Sequence, residues 1–260
     1  NGFGDEGFIT SGTSTLAGDP IQLSEIINEI SALDPDETIE LQISGLPLGT
    51  TLIGPNSVKV SPELDGSFLL ANVTETDLSD YALTTSEDQG NFSFIVNALT
   101  KDETAVSAEN IRTINIASTA LFEPEFVDLL GNPIEQNATF NMLEGGSGII
   151  DFSVKLGSQL NSKNVLVEIG NVPSGFQIMT SSGDSLPYNA NSGIYSIPAN
   201  KLTNGLTISV SDDATEAERN FVGSVDLDLT ANTSYSLQSG NVVKSASIVS
   251  KLDVTPVTDG

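Results

Sequence analysis

The block Leu41-Gln42-Ile43-Ser44-Gly45-Leu46-Pro47-Leu48-Gly49 returns as Val167-Glu168-Ile169-Gly170-Asn171-Val172-Pro173-Ser174-Gly175, 126 positions further along the chain. A repeat at a fixed offset constrains the fold strongly, because each copy must bury its own apolar face and close with the same turns. Gly66-Ser67-Phe68-Leu69-Leu70 likewise answers to Gly193-Ile194-Tyr195-Ser196-Ile197, and Leu83-Thr84 to Leu206-Thr207, after which both halves run into a long alternating segment. In each shared block an alternating strand delivers apolar residues to a core, Pro47 or Pro173 fixes φ, and Gly49 or Gly175 lets the chain reverse. The natural division falls near Ala120 to Glu125, where Phe122-Glu123-Pro124-Glu125-Phe126 forms a short Pro-stiffened joint. Two repeats are expected, 1–120 and 121–260.

Period-2 alternation dominates each copy: Thr38 to Ile43, Phe92 to Phe94, Arg112 to Ile116 and Val225 to Leu229 each send one face inward. Turn residues fall between them at Gly45 to Gly49, Gly54-Pro55-Asn56, Asp65-Gly66, Ser181 to Asp184 and Asn204-Gly205, the spacing of a β-sandwich. One short helical stretch is predicted over Leu23 to Ile30, with Leu23, Ile26, Ile27 and Ile30 on one stripe. The expected class is all-β, two tandem sandwiches.

Charge and missing residue types narrow the chemistry. Nine Lys and Arg stand against 35 Asp and Glu, a net −26, which excludes nucleic acid and anionic membrane surfaces as partners because both need clustered cations. The chain lacks Cys, His and Trp. Thiol nucleophiles, Ser-His-Asp triads and soft-metal sites are therefore excluded, and any metal must be a hard, oxygen-ligated cation such as Ca²⁺. A paired-carboxylate glycosidase is disfavoured, since only 4 Tyr and no Trp offer a sugar platform. No enzyme is expected. Apolar runs such as Phe94-Ile95-Val96 are far too short to span a bilayer, and no basic stretch followed by an apolar run marks a signal peptide. The chain reads as a piece of a longer one.

Three acidic groups are candidate metal ligands. Asp34, Asp36 and Glu37 place three carboxylates just before a strand, with Pro35 limiting their swing; on residue chemistry alone this is either a solvated acidic turn or a calcium loop. Glu123, Glu125 and Asp128 crowd the joint, and Asp102-Glu103 would join them if the loop around Lys101 lies at the same pole. Asp212 and Asp213 open a second dense acidic loop running to Glu218, without the glycine and spacing of an EF-hand.

The order Leu33-Asp34-Pro35-Asp36-Glu37-Thr38-Ile39, Ile43-Ser44-Gly45-Leu46-Pro47-Leu48-Gly49-Thr50-Thr51-Leu52, Gly66-Ser67-Phe68, and Gly90-Asn91-Phe92-Ser93-Phe94-Ile95-Val96 resembles the Ig-like or cadherin-like modules of giant bacterial RTX-type surface adhesins. The resemblance covers most of residues 20 to 117. It implies a secreted, cell-surface, calcium-binding, non-enzymatic role in adhesion or biofilm formation, with the chain's own neighbouring domains as partners; the net charge of −26 points to a monomer, because it keeps copies from associating. It further implies that joint carboxylates of successive domains hold stiffening ions. The second copy departs from the pattern, carrying Leu160-Asn161-Ser162-Lys163 where the acidic stretch stands in the first. The alternative reading is a ligand-binding module of the same kind of adhesin, gripping a cell-surface peptide or glycan through Tyr188, Tyr195 and Asn189-Ala190-Asn191-Ser192.

Overall fold

Strand and turn chemistry is realised throughout the chain, whose computed structural model describes residues 8–30, 38–102, 105–202 and 204–257. The chain separates into two compact units, one of residues 1–121 with 237–240 and one of residues 122–236 with 241–260. Among the described residues no helix is long and apolar enough to cross a membrane.

The first unit runs β1 (Phe8–Thr10), β2 (Thr13–Leu16), β3 (Ile21–Gln22), α1 (Leu23–Ile26), β4 (Ile27–Ile30), β5 (Thr38–Ser44), β6 (Thr51–Gly54), β7 (Val58–Val60), β8 (Phe68–Leu70), β9 (Ala82–Thr84), β10 (Phe92–Asp102) and β11 (Ala105–Thr119). One sheet has the order β2-β11-β10-β5-β8, the facing one β3-β9-β6-β7, and β1 pairs with β4 as a ribbon. Inward residues of both sheets, among them Leu41, Ile43, Phe94 and Ile114 from one and Ile21, Leu52 and Leu83 from the other, meet in one core.

The second unit runs β12 (Pro124–Val127), β13 (Thr139–Leu143), β14 (Ser147–Ile150), β15 (Ser153–Leu156), β16 (Gln159–Leu160), β17 (Val165–Gly170), β18 (Phe176–Thr180), β19 (Tyr188–Asn189), β20 (Ile194–Pro198), β21 (Leu206–Val210), α2 (Glu216–Arg219), β22 (Gly223–Leu237) and β23 (Gly240–Thr255). Its strands follow the order β18-β21-β14-β13-β23-β22-β17-β20-β19, and β12 pairs with β15. A separate core gathers Phe126, Phe152, Val167, Ile169, Ile178, Ile208 and Leu229.

The sequence repeat is also a repeat of pairing. In the first unit β2 lies parallel to β11 and β5 lies between β10 and β8; in the second β13 lies parallel to β23 and β17 lies between β22 and β20. Ile43 stands opposite Phe68 as Ile169 stands opposite Tyr195. The turns match as well: Gly45 and Asn171 both adopt positive φ, as do Gly49 and Gly175, and the amides of Thr50 and Phe176 each donate to the proline carbonyl three residues back at 3.1 Å. Asparagine can replace glycine at the first of these positions because it tolerates the left-handed region better than other side chains.

The predicted helical stretch over Leu23 to Ile30 is shorter than its stripe. Only Leu23–Ile26 is helical, and Ile27–Ile30 is a strand whose backbone pairs with β1. Non-local pairing overrides a 3.6-residue period when only two turns support it. Both helix ends of the stripe still serve the core, since Leu23, Ile26 and Ile27 are buried.

Candidate functional site

Strand register decides which acidic groups can meet. Lys101 stands opposite Thr38, and Asp102, the last residue of β10, stands opposite Ala105. The chain entering β5 and the chain leaving β10 are therefore at one end of the same sheet. Asp34, Asp36, Glu37 and Glu103 lie outside the described residues, as does the side chain of Asp102. Lys101 and Asp102 belong to a strand rather than a loop. Their end of the sheet is opposite the end at which β11 finishes: β11 takes 15 residues to run from Ala105 to Thr119, about 45 Å at the usual rise per residue. Glu123, Glu125 and Asp128 belong to the second unit.

Those three residues do not form a cluster of their own, and no group of three or more acidic side chains poised for a metal occurs among the described residues. Glu123 and Glu125 are exposed at the start of β12. Asp128 is committed to its turn: Oδ1 accepts from the amides of Leu130 and Asn132 at 2.8 and 2.9 Å, and Oδ2 from the Asn132 side chain at 3.0 Å. The Asn132 side chain, then its amide, holds the Asp128 carboxyl below the usual carboxylate range.

Asp212 and Asp213 are exposed in the loop after β21. This loop already contains a cation. Arg219 donates from Nη2 to the carbonyl of Asp212 and from Nε to that of Ala214 at 3.0 Å, taking the backbone oxygens that a metal in this loop would need. The rest of the loop is a helix start. Thr215 is the N-cap of α2, and Glu218 reaches back to the Thr215 amide and hydroxyl at 2.7 and 2.8 Å. The Thr-x-x-Glu spacing of such a capping box is legible in the sequence, yet it is hidden in a run that looks like metal ligands.

Glu218 also faces a cleft. Its other oxygen accepts from Ser174 Oγ, and its side chain lies over Gly175, where a Cβ would come within 2.6 Å of the Glu218 Cβ. Ser174 and then Thr215 hold the carboxyl below its ordinary value. The cleft, of about 430 Å³, is bounded by this turn, by Asp213 and by two tyrosines. Tyr188 and Tyr195 stand directly opposite each other on β19 and β20, with ring centroids 4.7 Å apart. Tyr195 is 8% exposed and its hydroxyl donates to the Phe176 carbonyl at 3.2 Å, whereas Tyr188 is 54% exposed. Burial, then the neighbouring Tyr188, pushes the Tyr195 phenol up.

The turn contact yields a paired prediction. Gly175→Ala must adopt φ +78° and displace Glu218, whereas Gly49→Ala, at φ +86°, meets nothing within 4 Å. Gly49→Ala should cost the first unit about 1–2 kcal/mol, the left-handed penalty alone, and Gly175→Ala should cost the second unit more by about 1 kcal/mol for lost hydrogen bonds. Urea melts of both variants check this, and equal losses would overturn it.

Acid should act through these same carboxylates. Asp65, held low by Ser67, Asp77 by Thr74, Asp128 by Asn132 and Glu218 by Ser174 all have folded pKa values below their unfolded ones. Their contribution is present in full above the unfolded carboxylate range and disappears as pH falls through the lower folded values. Melting temperature should therefore fall steeply below about pH 4, and Asp128→Asn should make the fall shallower. A melt series across pH 2.5 to 6 in both proteins would overturn the idea if the two curves ran parallel.

Pairing order and the two cores settle the fold class. The chain is an all-β, sandwich-type protein. Among solved structures it is similar to human CDH23 EC21-23, with 15% identity over 94% of this chain and 72% of that one at a TM-score of 0.40. It is similar to human mucin-like protocadherin EC1-2, with 9% identity over 96% and 98% at 0.37. It is also similar to the extracellular cadherin domains 1-5 of protocadherin gamma B2, with 14% identity at 0.38, spanning 94% of this chain but only 39% of that one. No family model matches the chain, and no curated protein does.

Proposed function

We propose that this chain is a non-enzymatic extender and adhesion module of a large secreted bacterial surface adhesin, built from two sandwich repeats over residues 1–120 and 121–260. The observation that carries the reading is the duplicated strand pairing, with Ile43 and Phe68 in one unit answering to Ile169 and Tyr195 in the other. Duplicated sandwiches with a joint as short as Phe122 to Phe126 add length by simple repetition. The net charge of −26 keeps neighbouring copies apart and makes divalent cations the natural counterpart.

Calcium belongs, on this reading, to the end of the first unit where β5 begins and β10 ends. The register of Lys101 with Thr38 favours it, because the acidic residues 34–37 directly precede one of these positions and 102–103 directly follow the other. These positions supply the carboxylates of Asp34, Asp36, Glu37, Asp102 and Glu103, the kind of oxygen donor that Ca²⁺ accepts. The joint residues Glu123, Glu125 and Asp128 and the loop at Asp212 and Asp213 fit less well, since Asp128 is spent on its turn and Arg219 fills the loop. In the second unit the connection that corresponds to residues 31–37 is closed by a neutral side chain: Asn161 Oδ1 accepts from the Val154 amide at 3.0 Å and its Nδ2 donates to Ser153 Oγ at 3.2 Å.

Calorimetric titration with CaCl₂ tests this. The chain should release or absorb binding heat that is lost in Asp34→Asn with Asp36→Asn and kept in Asp212→Asn with Asp213→Asn. Binding unaffected by the first pair would overturn the assignment.

A further inference from the structure

The Tyr188 cleft is a place where the two repeats differ in kind. In the first unit the corresponding turn, residues 45–50, bounds a cleft of about 380 Å³ with Pro62, Asp65 and Phe68, but Phe68 is buried and, among the described residues, no second aromatic ring lines it. In the second unit the strand pair adds an exposed ring on top of a buried one. Tyr195 is anchored by the bond of its hydroxyl to the Phe176 carbonyl, and the exposed Tyr188 ring lies against it.

Charge says what that face is for. Glu218 holds its carboxylate in place through Ser174 and Thr215, and Asp213 stands on the same side. Among the described residues no Lys or Arg lines the cleft. The nearest guanidinium in sequence, that of Arg219, is engaged with the carbonyls of Asp212 and Ala214. A fixed anion beside an exposed aromatic face is the environment that best holds a planar cation, through charge on one side and the ring on the other. A cleft of this volume accepts one long side chain. The net charge of −26 would steer a cationic partner to the surface before the cleft selects it.

We infer that the cleft formed by Tyr188, Tyr195, Ser174, Asp213 and Glu218 seats an arginine side chain presented by a partner polypeptide. A sugar fits less well, because its neutral hydroxyl groups gain little from the negative charge of Asp213 and Glu218 in the cleft lining, whereas a guanidinium is drawn by it. The inference stands on the second unit alone and is independent of calcium in the first.

The test titrates the intact chain with acetyl-Gly-Arg-Gly-amide, its citrulline counterpart, spermidine and a panel of mono- and disaccharides, in buffer of physiological ionic strength. The arginine peptide should bind, with the neutral citrulline peptide and Tyr188→Ser each weakening binding by roughly tenfold, as expected for loss of a cation–π contact of ordinary strength. Tyr188 is half out in solvent, so its replacement should leave the melting temperature near that of the parent. As a second measurement, the Tyr188 ring protons of the parent protein should shift on peptide addition while those of Tyr81 and Tyr235 do not. Absence of arginine-peptide binding, equal affinity for citrulline, equal affinity in Tyr188→Ser, unmoved Tyr188 resonances, or tighter binding of spermidine or a sugar would each overturn the assignment.

Discussion

Phe152→Ala is expected to destabilise the second unit by about 3–5 kcal/mol, the usual cost of emptying an aromatic site in a closed core, while the first unit melts as before. Phe152 is 0% exposed and packs against Phe126 at 5.7 Å between ring centroids. Phe94, 2% exposed and stacked near Phe92, occupies the equivalent kind of place in the other core. The two phenylalanines belong to separate hydrophobic clusters with no shared member, so Phe94→Ala should produce the mirror result. A domain of this size is stable by only about 5–15 kcal/mol, and a loss of this magnitude moves one transition well clear of the other. Differential scanning calorimetry on the parent and both variants reads it directly. A single transition displaced alike by either substitution would mean that the two cores unfold as one cooperative unit and would overturn their independence.

What the sequence made legible was whatever depends on local period and turn chemistry. Ile39, Leu41 and Ile43 read as inward residues because alternation has only one reading in a strand, and all three are buried. The repeat was legible for the same reason, since the Pro-x-Gly turn needs a positive φ that few residues supply. The rest depends on partners far away in sequence. Ile27 to Ile30 became a strand because β1 pairs with it, and Lys101-Asp102 became strand because β10 and β11 continue to pair as far as Asp102 and Ala105. The tyrosine pair at 188 and 195 was visible as two aromatic residues, but only the β19–β20 register puts one ring on the other. Arg219 was the hardest to foresee, because nothing in an acidic run announces that a neighbouring guanidinium will take its carbonyls.

Removal of calcium should distinguish the two units. A ligand bound only to the folded state at one hundred times its Kd stabilises by about 2.7 kcal/mol, and for a unit of this length that corresponds to a fall on the order of 10 °C in melting temperature when a chelator is added. The fall should be confined to the first unit, where residues 34–37 and 102–103 bring five carboxylates to the end of one sheet on the reading given above. Without the ion those like charges repel, so Asp34→Asn with Asp36→Asn should raise the first unit's melting temperature in chelator and lower it in calcium relative to the parent. That crossover is the specific expectation, because a solvated acidic turn with no ion would gain from the substitution in both buffers. The second unit supplies its own control: Asn161 closes the corresponding connection with neutral hydrogen bonds, and its transition should be the same with and without chelator. An unchanged first transition in excess chelator, or a fall shared by both units, would overturn calcium at this end of the sheet while leaving the duplicated sandwich fold intact.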